Sequence, residues 1–198
     1  MFSKLKTKMF EAFGTWCINR AMRRPHEHLL DDDGKPHAHR YWLFRIGSGK
    51  PNGDGDVHPF FAIKVCQLVS SEEALFHDDA AHSTTVVLRG AISEVTPHGI
   101  QLWKDRIHMV SRYNGFEPTE YGKRNVTSYL AGSVLRRKAG CWHFFTLPAG
   151  TESCWLLSII GPKRQTWGFL ADGFAKVPAR TFLERRRQQR NRPNGKKR

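Results

Sequence analysis

The chain of 198 residues has room for one domain with a substantial core and short appendages. Its 39 % hydrophobic, 12 % aromatic and 25 % charged residues exclude a wholly disordered chain, and no run approaches the roughly 20 apolar residues that span a bilayer; four scattered cysteines without a CxxC pair (Cys17, Cys66, Cys141, Cys154) argue against a disulfide scaffold and for a reducing, cytoplasmic compartment. The net charge of +14 sits at the ends, +5 in residues 1–24 and +7 in residues 184–198, which leaves +2 for residues 25–183 and a nearly neutral body.

In residues 1–24, Phe2, Leu5, Met9, Phe13 and Trp16 recur at steps of three and four, which predicts an amphipathic helix. Its apolar stripe would pack on the domain or on a second subunit, as in a homodimer, with a membrane surface as the alternative. Residues 25–36, rich in turn formers, read as a linker. From residue 37 to 183 the pattern is short β-branched and aromatic runs: RYWLFRI, FFAIKVCQLV, STTVVLRGAISEV, IQLW, SVLRR, CWHFFTL, CWLLSIIG and WGFLADG. Turn formers separate them, and no helix-length periodic segment lies between residues 37 and 180, so an all-β antiparallel sandwich or barrel is expected. GSGKPNGDGD lacks the residue order of a phosphate-binding loop and reads as a hairpin loop. Residues 184–198, ERRRQQRNRPNGKKR, contain no apolar anchor and are expected to be a disordered basic tail whose contact with nucleic acid is weak and non-specific.

Two spaced histidine motifs carry the chemistry. His77 is followed after two residues by Asp79 and after thirteen by Gly90; Gly132 is followed after eight by Gly140 and after eleven by His143. Residues two apart on a strand share a face, so His77 and Asp79 can project together, with His143 on a facing strand. The spacing resembles the two motifs of the cupin family. On that register His77 takes the first ligand place, Asp79 the second histidine place, Ser83 the glutamate place, Gly90 the turn glycine and His143 the ligand place of the second motif. Ser71, Lys138 and Leu147 stand where the family has glycine, proline and asparagine. HRYWLFR, FHDDAAHSTTVVLRGAISE and CWLLSIIGPKRQTWGFLADGF are similar to a group of small uncharacterised cupins of phage and bacterial genomes.

The resemblance implies a double-stranded β-helix of the jelly-roll kind with a divalent metal inside it, held by His77, Asp79 and His143. His82, where that group usually carries an acidic residue, becomes a fourth ligand if a bend at Ala80 and Ala81 turns it inward. Two imidazoles and a carboxylate favour Fe(II), with Mn(II), Ni(II) or Zn(II) as the other choices, and leave positions open for O₂ or a small-molecule substrate. An HxD with a distant histidine is also the pattern of 2-oxoglutarate oxygenases. Their arginine about ten residues beyond the last histidine is replaced here by Ser153 and Cys154, the nearest basic residues being Lys163 and Arg164. Two functions follow: a metal-dependent oxygenase, or a non-catalytic jelly-roll binding module with a degenerate metal site and basic termini. HEH at 26–28 and HAH at 37–39 have ligand spacing without glycine punctuation and are expected to be surface histidines; Cys141 shares the face of His143 and reads as a small core residue.

Overall fold

A computed structural model describes residues 2–24, 26–30, 34–47, 59–72, 75–97, 100–103, 106–109, 124–170 and 176–190. Except for Gly47, the glycine-rich stretch expected to be a hairpin loop lies outside these residues, as does the tail beyond residue 190. The elements are α1 (Phe2–Met22), β1 (His26–Leu30), β2 (Pro36–Ile46), β3 (Phe61–Leu68), β4 (His77–Asp78), β5 (Ala81–Arg89), β6 (Ala91–Pro97), β7 (Ile100–Trp103), β8 (Arg106–Met109), β9 (Arg124–Leu130), β10 (Val134–Arg137), β11 (Trp142–Thr146), β12 (Cys154–Lys163), β13 (Gly168–Leu170), β14 (Lys176–Pro178) and α2 (Ala179–Arg190).

Two six-stranded antiparallel sheets form the jelly roll, in the orders β1-β2-β3-β12-β5-β10 and β14-β13-β4-β11-β6-β9, beside a β7–β8 hairpin. This is the all-β architecture the motifs lead one to expect. The chain passes from the first sheet to the second between β5 and β6, at Gly90. There φ is +83° and a Cβ would run into the Ser153 carbonyl, so glycine is required twice over.

The middle of the first sheet is covered on both faces, which explains why β3 and β12 read as near-continuous apolar runs instead of alternating ones. Its inner face packs Ala38, Leu68, Val87, Leu135, Cys154 and Leu156 against Ile92 and Phe145 of the second sheet. Its outer face packs Tyr41, Val65, Leu88, Trp155 and Leu157 under α1. Each fully buried aliphatic side chain contributes about 1.5–3 kcal/mol.

The helix buries a different stripe from the one expected. Met9, Phe13 and Trp16 are 65 %, 46 % and 60 % exposed, whereas Gly14, Cys17, Ile18 and Ala21 are buried. Small residues win because the sheet beneath is built of large ones: a Cβ at Gly14 would already lie 3.3 Å from the Leu88 carbonyl oxygen. Two further expectations are corrected. Within the stretch read as a linker, residues 26–30 form β1, paired along its length with β2. The tail read as disordered is helical as far as Arg190, since α2 begins upstream of it and is anchored by buried Ala179 and by Phe182, whose ring stacks on Phe169 at 4.5 Å. No helix among the described residues is long and apolar enough to cross a membrane.

Candidate metal and anion site in the barrel

Strand register brings the two histidine motifs together. His143 of β11 lies directly opposite His77 of β4, and their rings are 4.7 Å apart. Strand alternation then divides the acidic pair after His77. Asp78, 2 % exposed, turns away to accept hydrogen bonds from Gly168 N (2.7 Å), Gln165 Nε2 (2.6 Å) and Lys176 Nζ (2.6 Å), fastening β4 to the segment around β13 and β14. Asp79 turns toward the histidines, its Oδ2 lying 3.9 Å from His143 Nε2.

The backbone sets the tautomer of both rings. His143 Nδ1 faces the Cys141 carbonyl at 3.0 Å, and His77 Nδ1 faces the Leu75 carbonyl at 3.4 Å. A carbonyl can only accept, so Nδ1 carries the proton and the Nε2 lone pair is left for a ligand. Burial holds the His143 pKa well below 6.5, and Arg137 and His77 push the same way against Asp79. The ring is therefore neutral at pH 7, the form that binds metals. For Asp79 burial works upward, but Arg137, His143, His77 and Lys64 outweigh it and hold the carboxyl below its ordinary value. Its side chain is 35 % exposed, yet Oδ2 itself is buried and accepts no hydrogen bond. An ionised oxygen left without a donor, facing the Nε2 of His143 with the His77 ring next to that imidazole, is a place that suits a cation.

These residues line a cavity of about 310 Å³ between the sheets, which also receives Arg40 of β2, Lys64 of β3 and Arg137 of β10. Arg40 Nε and the Nε and Nη1 of Arg137 are buried without hydrogen-bond partners. Arg137 lies at ion-pair distance from Asp79 Oδ2 (3.6 Å) and Glu94 Oε1 (3.7 Å), with its guanidinium 4.6 Å from the centre of the Phe145 ring. Burial, assisted by Arg40 and Arg137, brings the Lys64 pKa down to about 8, so the ammonium remains mostly charged at neutral pH. Arg40, Lys64 and Arg137 thus give this end of the cavity a cationic wall on which both guanidinium groups keep unfilled donors, chemistry that suits an anionic group.

His82 stands apart from the cluster. Ala81, Ser83 and Thr85 face the cavity, so regular alternation along β5 leaves His82 exposed on the other side, where its Nδ1 accepts the Ala139 N–H at 2.8 Å. The structure thus brings His77, Asp79 and His143 together and leaves His82 out. Ser83 does line the cavity, with a buried Oγ that has no hydrogen-bond partner. Cys141 is exposed, contrary to the core position expected for it, and contributes only its carbonyl to His143. Sequence reasoning missed Arg40, Lys64 and Arg137; the available signal was a lysine in the middle of an apolar strand, FAIKVCQL.

The histidines expected at the surface do lie there, His26 and His28 exposed and His39 half-buried, and they form a cluster. His28 pairs with His39 across β1 and β2, their Nδ1 atoms 2.9 Å apart, and His26 lies next to them. Among the described residues, His26, His28 and His39 are the one trio of histidine, cysteine or carboxylate side chains whose ligand atoms all lie within 4.8 Å of one another. His77, Asp79 and His143 are spread more widely.

No family model and no curated protein matches the chain in sequence. Among solved structures it is similar to the Fe(II) form of HppE with substrate (15 % identity, TM-score 0.44, covering 71 % of this chain and 57 % of that one). It is also similar to hydroxypropylphosphonic acid epoxidase from S. wedmorenis (14 %, 0.41, 68 % and 55 %) and to an RmlC-like cupin from Ralstonia eutropha JMP134 (12 %, 0.43, 83 % and 81 %). The chain thus spans little more than half the length of the first of these. Likeness of this degree carries no functional argument, and the jelly-roll assignment rests on strand order and register.

Proposed function

We propose that the barrel holds a divalent metal ion between His77, Asp79 and His143 and works as a metal-dependent oxygenase on a small anionic molecule. The observation that carries this reading is the buried, hydrogen-bond-free Oδ2 of Asp79 facing Nε2 of His143. Two imidazoles and one carboxylate suit Fe(II) first, and such an ion, when bound, supplies open coordination positions for O₂ or a substrate oxygen. The protein's own part is positional. Arg137 keeps Asp79 ionised, the backbone carbonyls of Leu75 and Cys141 hold the imidazoles with Nε2 presented, and Arg40 and Lys64 receive the anionic group of the substrate. Phe145 and Leu156 provide apolar wall that limits water around the site.

Ser83, in the place of the cupin glutamate, favours the second reading: a binding module whose ancestral metal set has lost a member. Anaerobic Fe(II) titration of the untagged protein separates the two. The oxygenase reading expects one equivalent of iron that disappears in a His77→Ala, His143→Ala double variant. Iron uptake equal in wild type and variant would refute it.

A further inference from the structure

We propose that His26, His28 and His39 form a second metal site, a zinc clip across the outer face of the β1–β2 edge. Strand register builds it. His26 and His28 are two apart on β1 and share a face, and His28 lies directly opposite His39 on β2. The inner neighbours Leu29, Ala38 and Arg40 line the barrel cavity, so the trio lies on the opposite side of the sheet from His77 and His143.

The geometry is close to what a tetrahedral ion needs. Zinc lies about 2.0–2.1 Å from imidazole nitrogen, which places the ligand nitrogens roughly 3.3 Å from one another. Here the His28 and His39 nitrogens are 2.9 Å apart and all three residues offer nitrogens within 4.8 Å, so small ring rotations suffice. Among the described residues these rings make no hydrogen bond except to each other. Glu27 is engaged on the inner face with Trp42 Nε1 (3.0 Å) and Arg40 Nη1 (3.4 Å). The donor set is therefore three imidazole nitrogens, which suits Zn(II) better than a hard, oxygen-seeking cation and leaves the fourth position to water.

The clip has something to hold. β1 is an edge strand with four of its five residues exposed, and it follows directly on α1, which covers the outer face of the same sheet. An ion bridging the two strands would secure this edge where packing supplies little.

The test uses untagged full-length protein titrated with Zn(II) against a chromophoric chelator, and with Co(II) followed by its visible absorption. The variants are His28→Asn with His39→Asn, and His77→Asn with His143→Asn. The clip predicts that the barrel variant keeps one zinc equivalent and a tetrahedral cobalt spectrum. The strand variant should bind at least about tenfold more weakly and lose the zinc-induced slowing of amide exchange in residues 26–30. Equal zinc affinity and the same cobalt spectrum in wild type and strand variant would overturn the proposal, as would a wild type whose only zinc equivalent vanishes in the barrel variant. His26→Asn serves as a single-site control should the double strand variant fail to fold. Loss of metal from the barrel alone refutes nothing here, so the two sites are judged separately.

Discussion

Oδ2 of Asp79 and Nε2 of His143 face each other at 3.9 Å, an ionised carboxylate and a neutral imidazole with no hydrogen bond between them. Two acceptors at that separation have little reason to be held together except through a shared cation, and in the metal-free protein Arg137, 3.6 Å from the same oxygen, serves as the counter-charge. Asp79→Asn should therefore abolish metal uptake. It should also destabilise the metal-free protein by about 1–2 kcal/mol, because a largely buried guanidinium loses a partner while Glu94 remains near it. Urea unfolding in chelator checks the second part; unchanged stability would mean that Glu94 alone compensates Arg137.

Acid should unfold the metal-free protein earlier than its carboxylates alone require. His143 has a folded pKa well below the 6.5 of the free side chain. Its contribution is complete above about 6.5 and lost as pH falls through the interval down to the folded value, where only the unfolded chain takes up the proton. Asp79, also depressed, adds its loss at lower pH, below the ordinary carboxylate range. His143→Gln should flatten the stability profile on the acid side of about pH 6.5. Parallel profiles for wild type and variant would show that other groups set the slope.

Lys64 should be costly to stability and useful to binding. Its pKa of about 8, against 10.5 for the free side chain, means that the folded protein resists charging it; this penalty is constant below pH 8 and relieved as pH rises toward 10.5. Lys64→Met should stabilise the protein at pH 7 by on the order of 1–3 kcal/mol. The same variant should weaken binding of inorganic phosphate or a small dicarboxylate about tenfold, measured by calorimetry. A variant that is less stable and binds the anions unchanged would remove Lys64 from the site.

At the C-terminus the boundary between docked and dispensable chain falls within α2. Phe182→Ala should cost about 3 kcal/mol because it empties the space beneath Phe169. Truncation after Glu184 should leave the melting temperature almost unchanged. It should also remove whatever weak, salt-dependent nucleic-acid retention the protein has, since seven net charges lie in residues 184–198. Retention that survives truncation would place the basic surface on the barrel.

What the sequence revealed followed from strand physics. The HxD spacing put His77 and Asp79 on one face, and the glycines that turn the chain between sheets, Gly90 and Gly140, both have positive φ in the fold. His82, counted among the ligands on the sequence, was misassigned: the chain does bend at Ala80, but β5 starts at Ala81 with its inward positions at Ala81 and Ser83, so His82 points outward and accepts the Ala139 N–H. The cationic wall was not legible. Arg40, Lys64 and Arg137 come from three strands brought together by long-range pairing, and no local periodicity encodes which face of β3 meets the cavity. The face of α1 was misread because the bulkiest side chains define the apparent stripe, whereas close approach to Leu88 selects Gly14, Cys17 and Ala21. The histidine trio was hidden for a similar reason: HEH and HAH belong to one cluster only through the β1–β2 register.

The central claim is that one metal ion occupies the barrel between the two histidine motifs. It is tested most directly by an anomalous difference map from crystals of the untagged protein equilibrated with Fe(II) under anaerobic conditions. The expected result is a single strong peak in the cavity about 2.0–2.2 Å from His77 Nε2, His143 Nε2 and a carboxylate oxygen of Asp79. A cavity without a peak at full iron loading, or a peak that touches neither histidine, would contradict the account.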